Sequence, residues 1–595
     1  MGWVRMHQYK EPFTNTTAKD EENHLHPRST KPNKQTHRSS AISVDNPLLE
    51  MALSLAQNCV PGTFDPSVFG ASVLALEANL VTNYSASAPE GVRFTSPAAE
   101  LRNATFCNVT VTYTHPGQGD RIVVEAWLPS SSSSSSCSAP GGGWNERFLA
   151  VGGGGYAAGR IWLSYGAMNG ALADGYATVT TDAGLGSSED PTPWALLSPG
   201  NVDLYGLQNL AYVSLYDQAV IGKSLVKSFY GRDPAYSYWT GCSQGGRQGL
   251  ALAQRYPDLY DGIVAGAPAI NWTRLFAHIH WPQQVMNELG AYPYPCELDA
   301  IVRAAVAACD GADGVVDGVI SDAGACLDAF DAFSLVGTRT ACPQAGGADK
   351  TISEAAAVVV NATWRGVVTA DGESIYPGIL PGADLTGNLN GLGGIAGTSC
   401  DADGCAGAPV VLGTTWFQLF LAKDASFPLG NMTRERFDAL VHRGEQQYQS
   451  MLDTADPDLR AFKAAGGKMV SFHGLTDNVI PPAGIAAYYD AVAGVTPDIR
   501  DFYRHFEAPG LAHCYGGASG PPTGLFSQLR DWVENGASPP ERTPVRVAVV
   551  DEEAATTTTH ERILCAYPQR AALDDGCGDA SRAECWSCAG EARVS

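Results

Sequence analysis

The chain has 595 residues, 45% of them hydrophobic and 17% charged, with a formal net charge of −24. A length of this order exceeds what one hydrophobic core usually holds, so more than one structural unit is expected. The strong negative charge argues against nucleic acid or an anionic membrane as partner, because both need a basic surface. No uninterrupted apolar run approaches the ~20 residues that a membrane-spanning helix requires.

Residues 1–46 are polar and lack the apolar core of a signal peptide, and they read as a disordered tail or a segment foreign to the mature chain. Order is expected from about Pro47, with a helical pattern in LLEMALSLAQNC. ATFCNVTVTYTH and RIVVEAWLP then alternate with period two, as an antiparallel pair of strands does. The run Ser130 to Ser136 that follows is most simply a flexible surface insertion. Beyond it strands and helices alternate. RFLAVGGGG, GYATVTTD, SYWTGCS and GIVAGAPA read as strands, and AYVSLYDQAVIGKSLVKSFYG and GGRQGLALAQRYP as helices. That rhythm predicts a largely parallel sheet covered by helices. It breaks over residues 273–455, rich in Gly, Asp, Cys and Ala, and resumes at GGKMVSFHG and GIAAYYDAV. The expected organisation is therefore an α/β core in two parts, 47–272 and 456–595, around an inserted lid at 273–455. The second part ends in a strand (VRVAVV) and a cysteine cluster.

The most informative stretch is Gly241-Cys242-Ser243-Gln244-Gly245-Gly246, placed between a strand and a helix. Gly-x-Ser-x-Gly in that setting is a nucleophile elbow, whose turn lifts the serine hydroxyl clear of the sheet. Serine is a poor nucleophile unless a base lies within hydrogen-bond reach. His513, in the Gly/Pro-flanked loop APGLAHCYGG, is the candidate, and Cys514 follows it as Cys242 precedes Ser243. A bridge between the two cysteines would tie the nucleophile turn to the base. Asp477, in a turn after the strand MVSFHG, supplies a carboxylate to orient the imidazole, and the order Ser…Asp…His matches α/β-hydrolases. An oxyanion hole needs two backbone N–H groups. Gln244 offers one and the run Gly152–Gly155 after RFLAV offers the other, with Gly154 and Gly155 the candidates.

The insertion carries Cys309-Asp310-Gly-Ala-Asp313-Gly-Val-Val-Asp317-Gly-Val. Carboxylates interleaved with glycines suit a hard cation such as calcium. Spacing alone leaves a calcium loop and a plain acidic turn equally open. Fifteen cysteines point to an oxidising compartment. Asn-x-Ser/Thr sequons at Asn15, Asn83, Asn103, Asn108, Asn271, Asn361 and Asn431 agree with secretion.

These motifs resemble the tannase/feruloyl esterase family of secreted serine esterases, whose mark is a Cys-Ser…Asp…His-Cys arrangement. Here it is met by Cys242-Ser243, Asp477 and His513-Cys514. VGGGGYAAG, GYATVTTDAG, IGKSLVKSFYG, GIVAGAPAINW and GGKMVSFHGLTDNVIPP extend the similarity over roughly residues 55 to 590. The resemblance implies an α/β-hydrolase fold with a large inserted lid domain. It implies bridges Cys242–Cys514, Cys309–Cys326, Cys59–Cys107 and Cys565–Cys588. It also implies a structural calcium held by Asp310, Asp313 and Asp317 with the carbonyls of Val315 and Val319, and no organic cofactor. The family often has a cysteine near Val336, absent here, which leaves the partner of Cys342 open. The odd cysteine total leaves one thiol over, and Cys137 is the candidate. The expected activity is hydrolysis of phenolic-acid esters, galloyl or feruloyl, through an acyl-enzyme, with GAPAINWTRL and WPQQVM leaning toward tannase. The alternatives are a catalytically silent extracellular binding protein on the same fold, a peptidase, or a hydrolase of other aromatic esters.

Overall fold

The computed structural model describes residues 55–590 apart from 131–142, 390, 392, 402, 403 and 552–555. The proposed tail, most of the serine run and Cys137 lie outside the described residues.

Nine strands make one sheet: β1 (Ser72–Ala88), β2 (Ala99–Thr114), β3 (Ile122–Pro129), β4 (Arg147–Val151), β5 (Ala177–Thr181), β6 (Tyr236–Cys242), β7 (Gly262–Gly266), β8 (Lys468–Gly474) and β9 (Tyr503–Ala508). Their order in space is β1-β2-β3-β5-β4-β6-β7-β8-β9. The first three pair antiparallel, with Val111 opposite Val124 in the predicted β2–β3 pair, and β3 meets β5 antiparallel. From β5 to β9 every pairing is parallel. Parallel neighbours need crossover connections, and helices supply most of them. Three flank the strands around the elbow: α1 (Trp162–Ala173), α2 (Ser214–Tyr230) and α3 (Gln244–Arg255). The central strands β5 and β7 are buried along their whole length, which explains their unbroken runs of Ala, Val, Thr and Gly.

Strands β7 and β8 lie side by side, with Val264 opposite Val470, although some two hundred residues of chain separate them. That chain is mainly helical: α4 (Trp272–Leu289), α5 (Pro295–Cys309), α6 (Glu354–Arg365) and α7 (Arg434–Leu452), with short two-stranded ribbons between. Its aromatic core includes Trp272, Phe276, Trp364, Trp416 and Phe437, and continues into Ala195, Val202 and Leu207 of the chain after β5. The inserted chain is thus packed onto the end of the sheet that bears the elbow. After β8 comes α8 (Pro482–Val495), and a hairpin of Arg542–Asp551 with Thr556–Cys565 follows β9.

Seven disulfides join Cys59–Cys107, Cys242–Cys514, Cys296–Cys342, Cys309–Cys326, Cys400–Cys405, Cys565–Cys588 and Cys577–Cys585. The partner of Cys342 is Cys296, at the start of α5. No helix among the described residues is long and apolar enough to cross a membrane.

Candidate active site

Ser243 stands at the tight turn from β6 into α3 with φ 62° and ψ −121°, a conformation costly for a residue with a side chain. Neighbouring backbone holds it there. Its N–H donates to the Gly266 carbonyl at 3.0 Å, and its carbonyl accepts from Ala269 N–H at 3.1 Å. The surrounding glycines are needed for space. A Cβ on Gly241 would lie 2.6 Å from the Gly245 backbone, and one on Gly246 would lie 2.2 Å from the Gly266 carbonyl oxygen.

The glycine run after β4 packs against this turn. A Cβ on Gly152 would strike Gly245 Cα at 2.6 Å, and one on Gly153 the Ala157 carbonyl oxygen at 2.1 Å. Gly153 accepts from Gly245 N–H at 3.1 Å and donates to Gln248 Oε1 at 3.0 Å, so its own N–H is engaged. Of the two glycines singled out in the sequence, Gly155 borders the cavity beside Ser243 and Gln244, whereas Gly154 sits against Ile161 and Leu163.

Asp477, at the turn after β8, is fully buried. Its Oδ1 accepts from the N–H groups of Val479 (2.9 Å) and Ile480 (2.8 Å). Its Oδ2 lies 2.8 Å from His513 Nδ1 and 3.0 Å from His473 Nε2. Burial alone would push this carboxyl up, but the charge and hydrogen bond of His513, with the bond from His473, hold it well below the ordinary aspartate range. His513 is half-buried and its N–H meets Asn478 Oδ1 at 3.3 Å. The Cys242–Cys514 bridge, with Cα atoms 6.0 Å apart, fastens the serine turn to the histidine loop.

Three supporting residues escaped the sequence reading. Arg247, one turn into α3, is completely buried, and its guanidinium donates to Gln244 Oε1 (2.7 Å) and to the carbonyls of Leu210 (3.0 Å) and Ala211 (3.1 Å). Those carbonyls belong to a π-helical turn, Asn209–Val213, just before α2. Burial lowers the Arg247 pKa to about 9. The i,i+3 spacing from Gln244 was the available signal. Gln248 locks the glycine run to α3, donating from Nε2 to Ala158 at 2.9 Å. His473 precedes Asp477 by four residues and donates from Nε2 to the Ile480 carbonyl at 3.0 Å as well as facing the carboxylate.

Beside Ser243 lies a small open recess walled by Trp272, Leu275, Phe276 and Ile279 of α4 together with Leu412 and Ile480. An apolar, aromatic-walled recess next to a serine turn suits a flat aromatic acyl group.

The acidic loop does not line this recess. Asp310 accepts from the N–H groups of Asp317, Gly318 and Val319, and Asp313 accepts from Val315 N–H and Ser321 Oγ. Arg562 of the C-terminal hairpin reaches Asp317 at 2.5 Å and Asp313 at 3.7 Å. Among the described residues no group of three or more His, Cys, Asp or Glu converges as a metal set. The donor chemistry nevertheless fits a hard cation, since these carboxylates outnumber the one guanidinium facing them. The Val315 and Val319 carbonyls also accept no hydrogen bond among the described residues.

A buried carboxylate on an imidazole, tied to a strained serine turn on a mixed sheet of this order, defines an α/β-hydrolase. The comparisons specify it further. The family described as tannase and feruloyl esterase matches residues 108–589. The chain is 36% identical over 502 residues to a probable feruloyl esterase of Arthroderma benhamiae, covering 83% of this chain and 87% of that protein. It is 30% identical over 513 residues to a tannase of Aspergillus oryzae, covering 78% and 83%. Among solved structures, a tannin acyl hydrolase from Aspergillus niger aligns with a TM-score of 0.74 at 29% identity, covering 91% of this chain and 96% of that one. The chain belongs to the tannase and feruloyl esterase family, and is a carboxylic ester hydrolase.

Proposed function

We propose that this enzyme hydrolyses esters of phenolic acids through an acyl-enzyme on Ser243. The observation that carries the reading is the Asp477–His513 pair, tethered by a disulfide to the serine turn at the mouth of an aromatic-walled cavity. Ser243 Oγ attacks the ester carbonyl while His513 Nε2 takes its proton. Asp477, kept ionised by its surroundings, fixes the proton on Nδ1 and stabilises the imidazolium. The N–H groups of Gln244 and Gly155 receive the oxyanion, with Arg247 holding Gln244 in place. His513 then returns the proton to the departing alcohol, and water cleaves the acyl-enzyme by the same route.

The inserted chain acts as a lid whose α4 grips the aromatic acid. The acidic loop binds a structural calcium through Asp310, Asp313 and Asp317 with the Val315 and Val319 carbonyls, away from the chemistry. The enzyme is secreted, in keeping with its disulfides, and carries glycans at the exposed sequons Asn83, Asn103 and Asn431. Asn108 is a poor acceptor, because its Nδ2 is engaged with Glu125 at 3.1 Å. The test of activity is a panel of methyl gallate, methyl ferulate, methyl caffeate and tannic acid beside p-nitrophenyl acetate. Turnover of at least one phenolic ester with kcat/KM above that for the acetate is expected. Acetate cleavage with no phenolic ester turned over sinks the reading.

A further inference from the structure

Asp477 is met by two imidazoles, and the second has no part in passing the proton. His473, on β8 four residues ahead of Asp477, places Nε2 3.0 Å from Asp477 Oδ2 and 3.0 Å from the Ile480 carbonyl oxygen, with both side chains fully buried. A carboxylate oxygen and a carbonyl oxygen only accept, so Nε2 carries the hydrogen and shares it between them. Asp477 Oδ2 is shared in turn, because His513 Nδ1 lies 2.8 Å away, while Oδ1 is taken up by the Val479 and Ile480 N–H groups. Nδ1 of His473 has no hydrogen-bond partner among the described residues, so the ring's polar contacts are the two at Nε2.

The other titratable groups around this ring come from β9 and α4. Glu507 is its register neighbour on β9, and His505 stands two residues earlier with Nδ1 2.8 Å from Ser471 Oγ. Burial pushes the half-buried Glu507 carboxyl up. Burial also lowers His505 and, on α4, His278 to about 3, so neither titrates where a histidine base ordinarily gains its proton.

We propose that His473 is a positioning residue whose Nε2–H holds Asp477 Oδ2 and divides that oxygen's charge between two donors, leaving His513 a weaker base than an undivided carboxylate would make it. This role rests on the Ser243 esterase reading and adds to it what sets the acid limit of activity. Two effects carry the same sign. Without the His473 N–H, the carboxylate gives its full charge to the His513 imidazolium, which then keeps its proton to higher pH. The buried carboxylate also loses one of the donors that keep it ionised. Either change moves the acid limb of kcat/KM to higher pH.

The experiment follows kcat/KM for p-nitrophenyl acetate from about pH 4 to 8 in wild type, His473→Gln and His473→Phe. Glutamine presents an amide N–H near the place of Nε2, whereas phenylalanine fills the space without a donor. The limb in His473→Phe should lie about half a pH unit or more above wild type, and that in His473→Gln should stay near wild type. A role in packing alone would lower the plateau or the melting temperature and leave the limb in place. A limb that fails to rise in His473→Phe, or that rises equally in both variants, overturns the proposal while leaving the esterase reading intact. Should the phenylalanine variant not fold, nitrogen-15 NMR of the wild-type histidines decides. It should show a hydrogen on His473 Nε2 throughout the limb, and a bare Nε2 overturns the proposal. Wild type that cleaves no ester takes the esterase reading down as well.

Discussion

Asp477 is the residue on which the proposed chemistry turns. Its carboxylate takes two backbone N–H groups and faces two imidazoles, so its ionised form is favoured despite complete burial. Asp477→Asn keeps the size but puts an amide where His513 needs an acceptor. We expect kcat to fall by roughly 10³- to 10⁴-fold with KM little changed. Activity within tenfold of wild type would assign another carboxylate to His513. The same residue sets part of the acid stability. Its folded pKa lies below its unfolded one, so its stabilisation is complete above the ordinary aspartate range near pH ~4. As pH falls from there the unfolded chain takes the proton first, and the contribution is lost. Denaturant titrations between about pH 5 and 2 should show a steep decline in wild type and a shallower one in Asp477→Asn. Equal slopes would show that the aspartate is not held ionised. The candidates Ser243, Asp477 and His513 could be singled out in the sequence because each sits in a short local motif, and the structure brings Asp477 to 2.8 Å from His513. Arg247 and Gln248 were not singled out, because their partners come from distant segments, Leu210 and Ala211 before α2 and the glycine run after β4, and His473 was not, because it reads as one more residue of a buried strand.

At the level of elements, the bridge between Cys242 and Cys514 connects the β6–α3 turn to the loop after β9. The loop it closes spans 272 residues, so on the chain-entropy model it could stabilise the fold by roughly 5 kcal/mol. Its nearer consequence is placement, since it fixes the separation of the residues next to Ser243 and His513. Replacing both cysteines by alanine should lower kcat by about 100-fold, as a displacement of about 1 Å does, and should lower the melting temperature. Stopped-flow turnover and calorimetry on the double variant check both. Full activity with a lower melting point would reduce the bridge to a staple. Strands β2 to β8 were legible because their apolar runs or alternation are strong. Strand β9 (YRHFEA) was missed because Arg504 and His505 read as polar although both are buried in the structure. The long edge strand β1 was missed because it is largely exposed, built of Ala, Ser, Asn and Thr, and interrupted by irregular pairing near Val81 and Tyr84.

Across the whole molecule, the second part of the core is joined to the inserted chain through the acidic loop and the residues just after it. Arg562 of the C-terminal hairpin pairs with Asp317 in the insertion, and Arg570 pairs with Asp322. A calcium ion in that loop would strengthen a junction whose residues do not line the recess beside Ser243. Removing it with EDTA should lower the melting temperature more than the initial rate at moderate temperature, by mass action on the folded state. An unchanged melt with no calcium by elemental analysis would return the loop to an acidic turn clamped by Arg562. The helices of the insertion were the least legible part of the sequence. In α4 Pro282 interrupts the pattern and His278 and His280 are buried among apolar neighbours, so no amphipathic stripe stands out. The aromatic-walled cavity, which distinguishes a phenolic esterase from a general one, depends on those helices. The most direct measurement is therefore to trap the acyl-enzyme. Enzyme mixed with excess methyl ferulate or methyl gallate is quenched in acid within milliseconds and mapped by peptide mass spectrometry. The account predicts a feruloyl or galloyl adduct on the peptide bearing Ser243, absent from Ser243→Ala. An adduct on another residue, or undiminished ester cleavage by Ser243→Ala, would contradict it.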